Sequence, residues 1–416
     1  MKRLLYNIIL LLNMVGCPQR YKRDGVSDLI VHLILPTVSF LAGIYLLFTM
    51  VRPIPRHPQP LPAVIGANVA PMLRKKYPMR ISVIIPARNE EENLRTNLPL
   101  WMSAHELDPN LIAEIIVVDD SSTDRTAFIA MAAGAKVHSL RHSPRAWYGK
   151  TWALISGATR AKGDWLLFAD ADVYIEPGHL LQWLRNLPPT AAYYTVQPSH
   201  KHQESFEQLT LLANASTVLM MSKGALPPRQ SGGFGPFSLT PKEVYFHVGS
   251  HLLVRSEILE QYRFAQKMSF YVPVINLLGG NTIFQNIHKN LNELWTSWVK
   301  TLAASALAEG NRWRSFLIVL WIMGLLSFWP IWLNSQQPTK SHFIAFSIAY
   351  FAEAALLLAL LRRSGSFSVI SASLFPISSL LLVIMFLHSV WKIMIVKQVE
   401  WKGKVWNIKR QENIKT

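Results

Sequence analysis

Acidic residues occur in three clusters along the middle of the chain: Glu90, then Asp119-Asp120, then Asp170 and Asp172 one residue apart. Two carboxylates at that spacing suit a hard divalent cation, Mg2+ or Mn2+, which also takes oxygens from a substrate diphosphate. The earlier acids suit a different task, accepting hydrogen bonds from a uracil ring or a ribose hydroxyl. Taken alone, a D-x-D is an ordinary solvated loop. What would make it a site is where the surrounding elements put it.

Those elements are legible. Ile81–Ile85 is a β-branched run ended by Pro86, a buried strand. Helix formers follow from Glu90 to Ala104. Glu114–Val118 is a second strand, closed by Asp119-Asp120, and Ser121 or Ser122 is placed to cap a helix over Thr123–Ala133. Lys136–His138 predicts a third strand, Lys150–Ala161 a helix, and Trp165–Ala169 a fourth strand ending on Asp170. Strands alternating with helices predict an α/β fold, Rossmann-like, with a mostly parallel sheet covered on both faces. Ligands of such sheets bind beyond the carboxyl ends of the strands, which is where all three acidic clusters fall. Neither a G-x-G-x-x-G loop nor a P-loop is present, because Gly149-Lys150-Thr151 lacks the earlier spaced glycine. This argues against a dehydrogenase or P-loop NTPase.

The totals point to a membrane. The chain has 416 residues, 50% of them hydrophobic, and 42 Lys/Arg against 25 Asp/Glu give a net charge of +17; its mean hydropathy is +0.19. Zinc-finger spacing, an RNA-binding aromatic motif and a helix-turn-helix are missing, so the basic surplus suits an anionic lipid surface and a polyphosphate substrate, not nucleic acid. Cys17 is the only cysteine, which rules out an internal disulfide. Four stretches read as lipid-facing: Leu29–Val51, Ser315–Leu333, Phe343–Leu361 and Phe367–Val396. Glu353, inside the third, should face protein. The fourth, with Pro376 in it, reads either as one long helix or as a Pro-broken turn followed by a span. Basic residues at Arg52, Arg56, Arg74–Lys76, Arg362-Arg363 and in the tail place the catalytic part in the cytoplasm and favour the broken alternative. Residues 1–17 resemble a signal peptide and are read as a short anchoring or interfacial helix; Pro53–Pro62 reads as a stiff linker. Phe284–Arg314, with Leu291, Leu294, Trp295, Trp298 and Leu302 against Lys289, Lys300, Arg312 and Arg314, reads as an interfacial helix.

IIPARNEEENL (84–94), VVDDSSTD (117–124) and FADADV (168–173) resemble the nucleotide-sugar signatures of family 2 glycosyltransferases of GT-A fold, in order and at family spacing. WYGKTWAL (147–154), TVQPSHK (195–201), GGFGPFSLTPKEVYFHVGSH (232–251) and VEWKGKVWNI (399–408) look like the 4,4'-diaponeurosporenoate glycosyltransferases of staphyloxanthin-type carotenoid synthesis. The resemblance implies UDP-glucose as donor, a C30 carotenoid acid as acceptor and an inverted glucosyl ester as product. It places Pro86, Arg88, Glu90, Asp119 and Asp120 around the uridine, Lys150 near the donor, Asp170 on donor and metal, and Asp172 on the metal. His251 and Glu260 resemble the acceptor-side catalytic pattern. The chain departs from its relatives at Glu260-Gln261, where the wider family has an acidic pair whose second member, an Asp, is the general base, and at Ile283–Asn286, which lacks the Arg of a later motif.

The expected layout is an anchor and linker (1–77), a GT-A domain (78–260), acceptor-side and interfacial helices (261–314), a transmembrane bundle (315–396) and a basic cytoplasmic tail (397–416). The expected setting is the cell membrane, multi-pass, with the GT-A domain cytoplasmic. The partners are a UDP-sugar, an apolar carotenoid or other lipid acceptor, and membrane lipids. Two alternatives stay open: a transferase of the same fold using a hopanoid, glycolipid or polyprenyl phosphate acceptor, and a non-catalytic scaffold of a synthase complex.

Overall fold

The computed structural model describes residues 35–50, 75–141, 150–200, 205–221, 232–257, 259–285, 290–307, 312–334, 340–396, 398–401 and 404–407, with Pro144 and Trp147. The expected signal-like segment (1–17), the Pro-rich linker and the tail beyond Asn407 lie outside the described residues.

Helix α1 (Leu35–Phe48) precedes the catalytic part. There the chain runs β1 (Ile81–Ala87), α2 (Glu91–Leu107), β2 (Ile112–Asp120), α3 (Thr126–Ala132), β3 (Lys136–Leu140), α4 (Thr151–Arg160) and β4 (Trp165–Ala169). It continues through β5 (Val173–Ile175), α5 (Pro177–Arg185), β6 (Tyr193–Gln197), β7 (Ser199–His200) and α6 (Leu211–Met221). Then come β8 (Phe237–Pro241), α7 (Lys242–His247), α8 (Glu260–Met268), β9 (Val274–Leu278) and β10 (Ile283–Gln285). Seven strands form one sheet in the order β3-β2-β1-β4-β8-β6-β9. The first four strands are mutually parallel, β8 runs against both neighbours, and β9 is parallel to β6. The sheet is thus mostly parallel, as the alternation predicts. It also takes its last strand from residues beyond 260, the expected end of the domain.

The β-branched runs become central strands because they are buried on both faces: every residue of β1 and β4 is buried. Gly157 lets α4 lie on that surface. A Cβ there would stand 2.5 Å from Ile84 Cγ2 and 3.0 Å from Val118 Cγ2. Gly157→Ala is expected to cost about 1–3 kcal/mol of stability through overpacking. The check is the melting temperature of the detergent-solubilised chain; an unchanged value would mean the helix moves away freely.

The expected serine cap is not what starts α3. Ser121, at φ 57°, donates to Leu140 O, and Ser122 Oγ accepts from Asn89 N at 3.0 Å. The first turn instead uses Asp124 Oδ1, which accepts from Thr126 N at 2.9 Å, and the helix begins at Thr126. Both serines are spent tying the strand-end loops together.

A three-stranded sheet, β5-β10-β7, lies beyond the large one. Phe284, expected on the interfacial helix, is in its middle strand. Helices follow: α9 (Leu291–Leu307), α10 (Arg312–Asn334), α11 (Lys340–Leu361), α12 (Val369–Ser373) and α13 (Phe375–Trp391), then a β11–β12 hairpin (Gln398–Trp401, Lys404–Asn407). α1, α6, α10, α11 and α13 share a second hydrophobic core that also takes Leu278 from β9. Ser39 donates to Trp321 O at 3.0 Å, and Glu353 is buried with Trp321 Nε1 donating to it at 3.3 Å, so its carboxylate faces protein as expected. Backbone bonds His200 N to Ser364 O (3.1 Å) and Ser366 N to His200 O (3.0 Å) fasten this helical part to the sheet.

Four membrane spans were expected from the apolar stretches. Among the described residues no helix is long and apolar enough to cross a membrane. The last stretch is broken at Leu374, where α12 stops and Pro376 opens the 17-residue α13, about 26 Å long.

Candidate active site

The site lies at the carboxyl ends of β2, β1 and β4, which are adjacent in that order. Strand ends two places apart stand roughly 10 Å from each other, so the acids after β2 and β4 flank the end of β1. Beyond β1, Asn89 adopts φ 53° and its side chain accepts from Thr123 N at 2.9 Å. Glu90 N donates to Thr126 Oγ1 at 2.8 Å, while Glu90 Oε2 accepts from Asn93 at 2.6 Å. Arg88 donates to Asp120 O at 2.8 Å and stands 3.8 Å from its carboxylate. Asp119 is buried and accepts from Ser122 N at 3.0 Å, closing its own turn. Pro86, Arg88, Glu90, Asp119 and Asp120 therefore belong to one patch. Pro86 pairs with Val118 in the ladder, and Ala87 with Asp119.

The D-x-D backbone is held from below by α2. Asn97 donates to Ala171 O at 3.0 Å, and the Trp101 indole to Val173 O at 3.1 Å. Asp170 N bonds Pro236 O at 2.9 Å, drawing the 235–236 loop over the strand end. Lys150, just before α4, donates to Asp170 and, at 3.2 Å, to Gly235 O; its Nζ is 3.9 Å from Glu260. Burial works against the Lys150 charge, but the Asp170 and Glu260 carboxylates outweigh it and hold the ammonium above the usual lysine value. Asp172 accepts from Gln285 at 3.0 Å, because β10 pairs with β5 and sets Gln285 opposite Val173.

Lys150, Asp170 and Glu260 thus meet, although 90 residues separate Asp170 from Glu260 in sequence. Glu260 is the first residue of α8, and the next residue turns the other way. Gln261 is buried, accepting from Tyr193 OH at 2.9 Å and facing His251 Nε2 at 3.4 Å.

His251 is a core imidazole, and this corrects its expected place among the reacting groups. It is fully buried, stacks on Phe264 at 4.7 Å, and lies 2.7 Å from the Tyr245 hydroxyl through Nδ1. Burial pulls its pKa down to about 3, so it stays neutral. The reason is local: Gly249 (φ 105°) and Ser250 (φ 56°) turn the chain so that the ring points under β4, against Phe168.

Reasoning from motifs missed three groups. Gln285, noted only for what it is not, holds Asp172; Asn97 holds the D-x-D backbone; and Lys300, on α9, lies within electrostatic reach of Glu260, Lys150 and Asp170. No spacing rule connects residue 300 to residue 170, and Lys300 read as part of a polar helix face.

Asp170 and Asp172 fit a divalent ion as two carboxylates at one strand end, with the Lys150 ammonium already marking Asp170 as a place for positive charge. Among the described residues no group of three or more His, Cys, Asp or Glu gathers there.

Comparison with known proteins gives four matches. The family described as Glycosyl transferase family 2 matches residues 82–263. A 4,4'-diaponeurosporenoate glycosyltransferase of Staphylococcus haemolyticus (strain JCSC1435) is 30% identical over 340 residues, covering 79% of this chain and 89% of the relative. One from Staphylococcus aureus (strain USA300) is 28% identical over 346 residues, covering 80% and 89%. Among solved structures, the mannosyltransferase PcManGT from Pyrobaculum calidifontis, in complex with GDP-Man and Mn2+, matches with a TM-score of 0.47 and 14% identity, over 89% of this chain and 98% of that one.

Proposed function

The chain belongs to glycosyl transferase family 2 and is a glycosyltransferase, and we propose that it transfers glucose from UDP-glucose, with inversion, to the carboxyl group of a C30 carotenoid acid. The observation that carries the acceptor is the name of the relative matched at 30% identity across 89% of that relative's length. In the reaction, a carboxylate oxygen of the acceptor forms a bond to the anomeric carbon while the bond to the UDP phosphate oxygen breaks, and the electron pair leaves with UDP.

The protein's own residues bind and orient. The patch around Arg88, Glu90, Asp119 and Asp120 takes the uridine, and Lys150 stands at the diphosphate end with Asp170 and Asp172. Asp170 and Asp172 would hold Mg2+ or Mn2+, which would supply positive charge against the leaving diphosphate. Glu260 stands on the acceptor side. A sugar hydroxyl, about as weak an acid as water, needs a base, whereas a carboxylic acid near ~4.3 is already an anion at neutral pH. The departure at Glu260-Gln261 is compatible with such an acceptor. A screen of UDP-, GDP- and TDP-sugars against carotenoid acids, hopanoids, diacylglycerol and polyprenyl phosphate tests the reading. Transfer to polyprenyl phosphate and not to the acid would replace it.

We further propose that the helical part is held at the cell membrane through its apolar helix faces, with the sheet domain on the cytoplasmic side. Ile377, Leu380, Ile384, Leu387 and Trp391 are exposed at helical spacing along α13, as are Phe343, Ile344, Ile348 and Phe351 on α11. Apolar stripes of that length are rare on a surface facing water. Alkaline carbonate extraction of membranes checks this: the chain should stay in the pellet, and its release would reduce the attachment to a peripheral one.

A further inference from the structure

Gln285 touches the D-x-D, and the transfer proposed above gives it no part. Its Nε2 donates to Asp172 Oδ2 at 3.0 Å, although 113 residues of sequence separate the two. The backbone beneath that amide is fixed on both sides. β10 pairs antiparallel with β5, which sets Gln285 opposite Val173, and parallel with β7, which sets it beside His200. Phe284, on the other face of the strand, stacks on Tyr174 at 5.2 Å with the rings 20° apart.

The turn entering β10 is held as firmly. Ser199 Oγ donates to Gly280 O at 2.7 Å, and Glu176 N donates to Thr282 O at 2.9 Å. Gly279 approaches the strand so closely that a Cβ there would stand 2.1 Å from Ile283 O. β7 is itself fastened, through His200, to Ser364 and Ser366. A middle strand with partners on both edges has little freedom to slide, so the Gln285 amide acts as a donor at a fixed place.

That the donor is an amide has a chemical consequence. The Lys150 ammonium donates to Asp170, whereas Asp172 receives a neutral N–H from Gln285. A carboxylate bonded through one oxygen is restrained in its rotation and keeps its full negative charge. A lysine or arginine at 285 would offset that charge and compete with a metal cation. Groups that orient a metal's ligands by hydrogen bonds typically set its affinity by about 10- to 100-fold.

We propose that Gln285 is a positioning residue for the divalent ion: its amide orients the Asp172 carboxylate toward Mg2+ or Mn2+ and leaves that carboxylate's charge to the metal. This rests on the metal-assisted transfer proposed above. Loss of the amide should weaken metal binding, be overcome by excess metal, and leave the nucleotide patch around Arg88 and Asp120 intact.

The test uses the full chain in detergent micelles. Free Mn2+ is followed by its paramagnetic resonance signal in the presence of UDP, UDP affinity is measured in EDTA, and turnover of UDP-glucose is measured against Mn2+ concentration. Gln285→Met, similar in shape but without a donor, is expected to raise the Kd of Mn2+ about 10- to 100-fold. UDP affinity in EDTA should stay within about twofold of wild type, and saturating Mn2+ should restore most of the turnover. Gln285→Arg keeps a donor and adds a cation, so it should weaken Mn2+ binding too; a role confined to bracing the loop would be restored by it. If Gln285→Met does not fold, Gln285→Asn, one methylene short of Asp172, carries the same expectation. A Mn2+ Kd within about twofold of wild type in the Met or Asn variant, or in Gln285→Arg, overturns the inference. So does a joint fall of Mn2+ affinity, metal-free UDP affinity and melting temperature, which would make Gln285 a brace for the fold. If wild type with UDP takes up no Mn2+ and turns over fully in EDTA, the metal reading falls and takes this inference with it.

Discussion

Asp172→Asn is expected to lower sugar transfer by at least about 10³-fold, the scale on which preorganised electrostatic stabilisation is lost, while leaving the chain folded. The substitution removes a charge and little else. The amide that replaces the carboxylate still presents an oxygen to Gln285, whose side chain donates to Asp172 at 3.0 Å. The loop backbone is held independently by Asn97 on Ala171 O and Trp101 on Val173 O. What is lost is one of the two carboxylates available to a divalent ion, and with it the positive charge that faces the leaving diphosphate. Transfer of labelled glucose and the melting temperature, measured side by side, separate loss of chemistry from loss of fold. Treatment with EDTA should reproduce the loss in wild type, and added Mn2+ or Mg2+ should reverse it. Undiminished turnover in EDTA would remove the metal role from both aspartates.

The second large effect is expected from the acceptor. A polyene acid should be glucosylated at least about 10²-fold faster than the matching alcohol, because a general base contributes roughly 10²–10⁴ and the acid requires none. The rate with the acid should stay flat from about pH 6 to 8, an acid with a pKa near ~4.3 being ionised throughout. Glu260→Gln should cost less than that base contribution. It removes a charge 3.9 Å from Lys150 and leaves the Lys150–Asp170 pair in place. Rates for acid and alcohol with wild type and Glu260→Gln decide the matter. Equal rates with both acceptors, abolished together by Glu260→Gln, would make Glu260 a general base and end the ester-forming reading.

Burial at residues 260 and 261 shows why motif order alone does not assign such roles. The family's pattern puts its base second in the acidic pair, and this chain has Gln261 there. In the fold the second position points inward, onto Tyr193 and His251, and it is Glu260 that stands near Lys150. Which side chain faces a site at the start of a helix depends on where that helix begins and how it is rotated, and no local pattern records either. His251 is a parallel case. The residue type suits acid–base work, but two consecutive positive-φ residues aim it into the core.

The apolar stretches show a related limit of local reading, for among the described residues no helix is long and apolar enough to cross a membrane. Hydropathy records that a stretch avoids water and does not record what covers it. Leu317, Ile318, Trp321 and Leu325 of α10 are buried within the second core, while Ile348 and Phe351 of α11 remain exposed.

From its sequence alone this chain determined the strands β1, β2 and β4, their parallel alternation with helices, the three acidic strand ends and the glycosyltransferase family. Each of these is local: a β-branched run followed by a polar turn specifies a buried strand and the mouth of a site within about ten residues. The tertiary structure decided which polar groups share that mouth. Lys150, Asp170 and Glu260 come from three places in the fold spread over 110 residues, and Gln285 reaches Asp172 only through the pairing of β10 with β5. Such contacts depend on sheet order and helix rotation, which are settled by packing between distant segments and leave no periodic mark in the chain.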